Sequence, residues 1–323
     1  MVIEHIGRPR VGLLGNPSDL YRGRVLGFTF QDFAARARLV PARETVLIGP
    51  DGTRLGVFDA ENLLPRDCAE AHALMAAALC QLHQHAPDRV NCAAMPFHLE
   101  VTSDIPRQVG LSGSSAIVIA CLRALAEHFQ VPLSDFVCAE LALAAETIQL
   151  AQVAGPQDRV LQSYEGSLYM DFSEPRRDDR YQRVSIASLP EMLVAYDPSP
   201  GENSGALHSD VHALWRSGDP RVRAGIAVFS ELAAAGLDHL RSGRVSALCD
   251  CMDANFRARQ SLWQVAEADR NIASIARDAS AGAKLCGSGG ALVILPRPNC
   301  QIASLRTNLE STGWRVLTPA ISS

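Results

Sequence analysis

The hydrophobic pattern of the chain changes character near residues 187–190. Before that point, short apolar or alternating stretches predominate. Arg10 to Gly15 is a short apolar run, Val25 to Phe33 alternates, and Glu44 to Ile48 and Arg54 to Phe58 flank the turn Pro50-Asp51-Gly52, so each predicts a strand. Asp67 to His85 carries apolar residues at helical spacing without Gly or Pro, and Asn91 to Val101 returns as a strand. Ser115 to Phe129 is apolar on nearly every side, which predicts a buried helix, and Ser134 to Ala151 predicts a second one. Gly155-Pro156 interrupts that pattern and restarts a short helix, with Pro at a permitted first-turn position. Strands are predicted over Ser167 to Phe172 and Arg183 to Ile186, and the charged stretch between them reads as a solvated hairpin tip or linker. From Met192 the pattern gives a strand, helices over about 207–215, 221–241, 245–268 and 270–281, and then strand, helix, strand. The class is α+β in two domains, 1–188 and 189–323.

A chain of 323 residues that is 47% hydrophobic and 20% charged can bury a large core. A net charge of −5 argues against a nucleic-acid surface. No apolar run is long enough to span a bilayer and no signal-peptide segment is evident, so a cytoplasmic, membrane-free protein is expected, as a monomer or homodimer. The nine cysteines lack paired zinc spacing; several lie in alanine-rich helical surroundings, where a free thiol behaves as a small buried hydrophobe. Lys284 is the only lysine, and it reads as a surface charge or as part of a glycine-rich turn.

The segment most suggestive of chemistry is Asp104-Ile-Pro-Arg-Gln-Val-Gly-Leu-Ser-Gly-Ser-Ser-Ala116, which leads into an apolar helix. Gly110 and Gly113 permit a tight backbone, and Ser114 and Ser115 open a helix whose first N–H groups lack internal partners. Such a segment is either a plain helix cap or a phosphate cradle. It lacks the Gly-Lys-Ser/Thr of a Walker A loop and the third glycine of a dinucleotide fingerprint. Two further Gly/Ser-rich segments accompany it, Arg10 to Gly23 and Lys284 to Ala291.

Together these three segments, in this order, resemble the GHMP small-molecule kinases over nearly the whole chain. Within that superfamily the chain is most similar to the glucuronokinases. The likeness is carried by Gly-Leu-Leu-Gly-Asn-Pro-Ser-Asp (12–19), residues 105–118, Gln-Asp-Arg-Val-Leu-Gln (157–162), Glu-Asn-Ser-Gly-Ala-Leu-His-Ser (202–209), Asn-Phe-Arg-Ala-Arg (255–259) and Gly-Ser-Gly-Gly-Ala (287–291). The resemblance implies a two-lobed fold, with an N-terminal ribosomal-protein-S5-like domain 2 lobe and a C-terminal ferredoxin-like lobe, and the use of ATP and Mg²⁺. By the same likeness, Pro106, Gly110, Leu111, Ser112, Gly113, Ser114, Ser115 and Ala116 hold the triphosphate. Ser115 and Glu146 hold Mg²⁺, a hard cation suited to oxygen ligands. Ser115 could equally be an N-cap. Glu146, among apolar neighbours, requires a partner, and a metal is one candidate.

Asp158 matches the catalytic base of several family members. A place in the first turn of a helix favours its anion and suits it to orienting a hydroxyl for phosphoryl transfer. Arg10 stands where relatives have Lys or Arg, positioned to act on the base or on developing phosphate charge. Asn16, Asp19, Tyr21, Asn203, Ser204, Gly287, Ser288 and Gly289 match the acceptor side, with His208 a weaker member. Asn16 departs from the Glu-His pair of galactokinases. The implied reaction is ATP-dependent phosphorylation of the anomeric hydroxyl of D-glucuronate. Other readings are the same chemistry on another sugar, cyclitol or hydroxy acid, a catalytically silent ligand sensor, and a decarboxylase of the mevalonate branch. A uronate calls for an arginine; Arg24, Arg107, Arg159, Arg257 and Arg259 all neighbour matched segments, and sequence does not choose among them. Glu165 replaces a glycine usual in relatives.

Overall fold

The computed structural model describes residues 2–322 except 174, 176 and 200–204, with the backbone alone over 205–210. In chain order the elements are β1 (Ile3–Gly7), β2 (Arg10–Leu14), β3 (Arg24–Thr29), β4 (Ala35–Pro41), β5 (Thr45–Ile48), β6 (Arg54–Val57), α1 (Glu70–His85), β7 (Phe97–Ser103), α2 (Gly113–His128) and α3 (Asp135–Ala144). A π-helical turn, Ala145–Gln149, follows, and then α4 (Gln157–Tyr164), β8 (Ser167–Asp171), β9 (Tyr181–Arg183) and β10 (Leu193–Tyr196). The chain closes with α5 (Gly205–Ser217), α6 (Pro220–Arg241), α7 (Val245–Leu262), α8 (Glu267–Asp278), β11 (Ala281–Leu285), β12 (Ala291–Pro296), α9 (Ile302–Glu310) and β13 (Arg315–Leu317). Among the described residues, no helix is long and apolar enough to cross a membrane.

These elements form two compact units, each assembled from three chain segments: Met1–Pro9, Phe33–Ile105 and Ser112–Glu165 in the first, Arg10–Asp32, Pro106–Leu111 and Gly166–Ser323 in the second. The first unit holds a five-stranded sheet in the order β1-β4-β7-β5-β6, antiparallel except for the β5/β7 pair. Alternation explains its packing. Ala35, Ala37 and Leu39 of β4 and Phe97, Leu99 and Val101 of β7 turn inward, whereas Arg36 and Arg38 face outward. The inward face joins a core with Met75, Leu79 and Leu82 of α1 and Ile119, Leu122 and Leu125 of α2, each large side chain contributing about 1.5–3 kcal/mol.

Backbone approaches side by side where β1 meets α2. A Cβ placed on Gly7 would lie 2.0 Å from the Ala116 carbonyl oxygen, which pins the start of α2 close to that strand. Gly7→Ala is therefore expected to destabilise the protein by about 1–3 kcal/mol, or more if the backbone cannot shift. Urea unfolding checks this, and an unchanged midpoint would contradict it.

The second unit carries two four-stranded antiparallel sheets, β2-β3-β8-β9 and β11-β12-β10-β13. Strands β11 and β12 are buried along their whole length; β12 reads as a continuous apolar run, whereas β11 carries Lys284 among small residues. They pack with Phe256, Ile272 and Leu305 in a shared core.

Several predicted boundaries differ. The strand expected over Asn91 to Val101 is Phe97–Ser103, because Asn91 instead makes a turn, its side-chain oxygen accepting from the N–H groups of Ala93 and Ala94. The helix expected over 245–268 stops at Leu262, since Trp263 is extended (φ −133°, ψ 150°) and buried against Phe229. The strand expected at Arg183 to Ile186 lies instead at Tyr181–Arg183. Helix 134–151 ends at Ala144 and continues only as the π-helical turn. Strands β1 and β4 lie outside the predicted elements. In β4 the inward positions are filled mainly by alanine, a weak strand signal.

Candidate active site

Within the first unit, α2 begins in an unusual way. Ser112, at its N-cap, has a left-handed backbone (φ 63°) and makes no side-chain cap to the helix. Its hydroxyl donates instead to Oδ2 of Asp158, in the first turn of α4. The first turn of α2 contains no acidic residue either. Helix α3 shows the contrast, with Ser134 Oγ accepting from the Val137 N–H at 3.3 Å. A helix start with neither a capping side chain nor an acidic residue leaves its first N–H groups able to take an outside anion; α7 and α9 start in the same way, and the left-handed Ser112 sets α2 apart from them. Gln162 holds the junction together, its amide donating to the Ser112 carbonyl at 2.9 Å and to the Arg8 carbonyl at 2.8 Å.

Glu146 occupies the π-helical turn and is fully buried. Its partner is Arg159, in the first turn of α4 and buried. Arg159 Nε donates to Glu146 Oε2 at 2.5 Å, and a second guanidinium nitrogen closes on the same oxygen. Arg159 also donates to the Gly155 carbonyl at 2.9 Å. The demand for a partner inferred from its apolar neighbours is thus met by an arginine. Glu146 Oε1 accepts from Ser114 Oγ at 3.1 Å, whereas the buried Ser115 hydroxyl turns back to the Ser112 carbonyl at 3.5 Å. Ser112, Ser114, Glu146, Asp158 and Arg159 therefore form one polar cluster around the start of α2. The Ser114 hydroxyl and Glu146 Oε1, already in contact, are hard oxygen donors of the kind Mg²⁺ takes.

In the second unit, Arg10 opens β2 and is buried, donating to the carbonyls of Gly110 at 2.6 Å and Cys286 at 3.1 Å. Segments 106–111 and 287–290 pack backbone against backbone. A Cβ on Gly287 would stand 2.4 Å from the Gly110 carbonyl oxygen, and one on Gly110 would stand 2.8 Å from that of Gly289. Gly110 adds a positive φ of 74°. Asn16, Asp19 and Tyr21 are all buried beside this framework. Asn255, which sequence reasoning did not single out by itself, accepts from the Gly15 N–H at 2.8 Å. Pro106 and Leu111 lie in the same unit, and Ala116 on α2 in the first. Asn203 and Ser204 fall outside the described residues, as does the side chain of His208.

Lys284 corrects the reading of it as a surface charge. It is buried, and its ammonium donates to the Gly12 carbonyl (2.6 Å), Asn16 Oδ1 (2.6 Å) and the Leu285 carbonyl (2.5 Å). Burial lowers its pKa to about 7; Cys286 opposes the shift, and Arg10 and Arg259 add to it. The folded pKa lies below the unfolded one, so between them the unfolded chain binds the extra proton and stability rises with pH. Above about pH 9 the buried thiols, whose pKa values burial raises, act in the opposite sense. Wild-type stability is therefore expected to climb between about pH 7 and 8.5, with that slope lost in Lys284→Met. Denaturant titrations at several pH values check this; equal slopes for the two proteins would contradict it.

Comparison with known proteins identifies the family. The family model described as "GHMP kinases N terminal domain" matches residues 73–166. "Probable glucuronokinase 2" of Arabidopsis thaliana is 35% identical, with 98% of this chain and 90% of that protein covered. "Glucuronokinase 1" of the same plant is 32% identical, with 97% and 90% covered. Among solved structures, Lactococcus lactis galactokinase complexed with galactose superposes with a TM-score of 0.85 at 13% identity, covering 100% of this chain and 94% of that one. The Methanococcus jannaschii mevalonate kinase gives 0.77 at 18% identity, with 100% and 98% covered. The chain belongs to the GHMP kinase family. It is an ATP-dependent kinase that phosphorylates a hydroxyl group.

Proposed function

We propose that the protein transfers the γ-phosphoryl group of ATP to the anomeric hydroxyl of D-glucuronate, giving 1-phospho-glucuronate and ADP. The observation that carries this reading is the likeness, over nearly the full chain, to two proteins named glucuronokinases. In this reading residues 1–188 form the N-terminal kinase domain and 189–323 the C-terminal one.

The backbone from Pro106 through Gly110, Leu111, Ser112, Gly113, Ser114 and Ser115 to Ala116 holds the triphosphate. The uncapped start of α2 supports this role. Ser115 and Glu146 hold Mg²⁺, and the contact of Ser114 with Glu146 adds that hydroxyl to the donor set. Mg²⁺ bound there neutralises charge on the phosphates. Asp158 orients the acceptor hydroxyl and takes its proton, while the Ser112 hydroxyl fixes the carboxylate. Arg10, held by two carbonyls, stabilises charge that develops in transfer. Asn16, Asp19, Tyr21, Asn203, Ser204, Gly287, Ser288 and Gly289 bind the acceptor. The Lys284–Asn16 bond supports a fixed orientation for the Asn16 amide.

The test is ADP release with ATP and Mg²⁺ across D-glucuronate, D-galacturonate, D-galactose, L-arabinose, inositols and homoserine. Turnover is expected on glucuronate above all the others. Turnover on a neutral sugar, with none on glucuronate, would overturn the assignment.

A further inference from the structure

Resting on the glucuronate reading, we infer that Arg259, with the hydroxyl of Tyr21, is the receptor for the carboxylate of the acceptor and so selects a uronic acid over a neutral sugar. Burial separates the five arginines near matched segments. Arg24 is half-exposed and pairs with Asp171, Arg159 is committed to Glu146, and Arg107 and Arg257 are exposed. Arg259, near the end of α7, is 5% exposed.

A buried guanidinium ordinarily sits opposite a carboxylate. Among the described residues, no carboxylate lies within ion-pair distance of Arg259. Its hydrogen bond is a long one, from a terminal nitrogen to the Ser288 carbonyl at 3.5 Å, and its buried Nε–H has no acceptor. Asp269 is near enough to act only through its field; it accepts from the Gly290 N–H at 3.1 Å, and burial raises its pKa to about 6, which weakens it as a counter-ion. Arg10 and, below about pH 7, Lys284 add positive charge to the same interior. Among the described residues the guanidinium therefore has no contacting counter-ion, and an anion from outside would supply one.

The geometry also fixes the receptor in advance. The Arg259 guanidinium lies over the Trp263 ring at 4.3 Å from its centroid. Tyr21 is 5% exposed, its hydroxyl is buried without a hydrogen-bond partner, and burial keeps the phenol neutral, as a donor, near Arg259. Tyr21 and Trp263 share one apolar cluster with Phe229. An orphan phenol and an orphan guanidinium N–H, held by packed aromatics, are two donors awaiting an acceptor-rich planar group. A carboxylate is such a group.

The experiment compares kcat/KM for D-glucuronate with that for D-glucuronamide, which keeps the ring and loses the charge, in wild type, Arg259→Gln, Arg259→Lys and Tyr21→Phe. Wild type is expected to favour the acid by about two orders of magnitude. That acid-to-amide ratio should fall at least tenfold in Arg259→Gln, and less in Arg259→Lys, which keeps charge without the planar fork. Tyr21→Phe should lower it severalfold.

Equal losses on acid and amide, leaving the ratio unchanged, would make Arg259 a structural residue and overturn the inference. A raised KM for ATP at an unchanged ratio would assign the guanidinium to phosphate and overturn it equally. If the variants fail to fold, wild type still decides, because equal rates on acid and amide would refute carboxylate recognition. The two readings fail differently. Arg259-dependent turnover of D-galacturonate but not D-glucuronate would remove the substrate assignment and uphold the receptor, whereas turnover of neutral sugars alone would remove both.

Discussion

Asp158→Ala is expected to lower kcat on the acceptor by about 10²–10⁴-fold, with the loss in kcat and not in KM for ATP. The carboxylate stands in the first turn of α4, where the Ser112 hydroxyl fixes one oxygen. Removing it takes away the group that aligns the acceptor hydroxyl but leaves the start of α2, and hence the proposed phosphate site, in place. Ser112→Ala should give a smaller loss of the same kind, since it frees the carboxylate without deleting it. Steady-state kinetics with both substrates varied separate these effects. An Asp158→Ala enzyme within tenfold of wild type would remove Asp158 from the chemistry.

Glu146→Ala is expected to be the most damaging substitution for stability. It strands the Arg159 guanidinium, 7% exposed, with its charge uncompensated. Losing one member of such a buried pair costs about 3–5 kcal/mol, and a melting temperature lower by roughly 6–20 °C follows. The paired replacement Glu146→Leu/Arg159→Leu should recover most of that loss, because both charges leave together. It should not recover turnover, because the carboxylate proposed to hold Mg²⁺ is still missing. Calorimetry alongside activity separates the two roles. A single variant as stable as wild type would show that the pair does not carry the stabilisation argued here.

Much of this was legible in the order of residues. The helix over 115–129 and the glycine segments before and after it follow from local pattern, since Gly and Ser punctuate where the backbone must turn or approach closely. Asp158 at a helix start was readable from Gly155-Pro156. What sequence could not supply were pairings across distance. Glu146 and Arg159 lie 13 positions apart with a helix break between them. Lys284 reaches Asn16 across 268 positions, and its burial is invisible in a segment otherwise rich in glycine. Trp263 ends α7 through its packing against Phe229, a tertiary effect that overrides the helical propensity of its neighbours. Arg259 stood among five equivalent candidates until burial and an orphan Nε–H separated it from the rest.

The central claim, transfer from ATP to the anomeric oxygen of D-glucuronate, is tested most directly by identifying the product. Incubation of the enzyme with ATP, Mg²⁺ and D-glucuronate labelled with ¹³C at carbon 1, followed by ³¹P NMR, reads the bond that forms. The predicted result is a new phosphate monoester resonance coupled to the labelled carbon, appearing in step with ADP. A phosphate ester without that coupling, or consumption of ATP only when another acceptor is supplied, would contradict it.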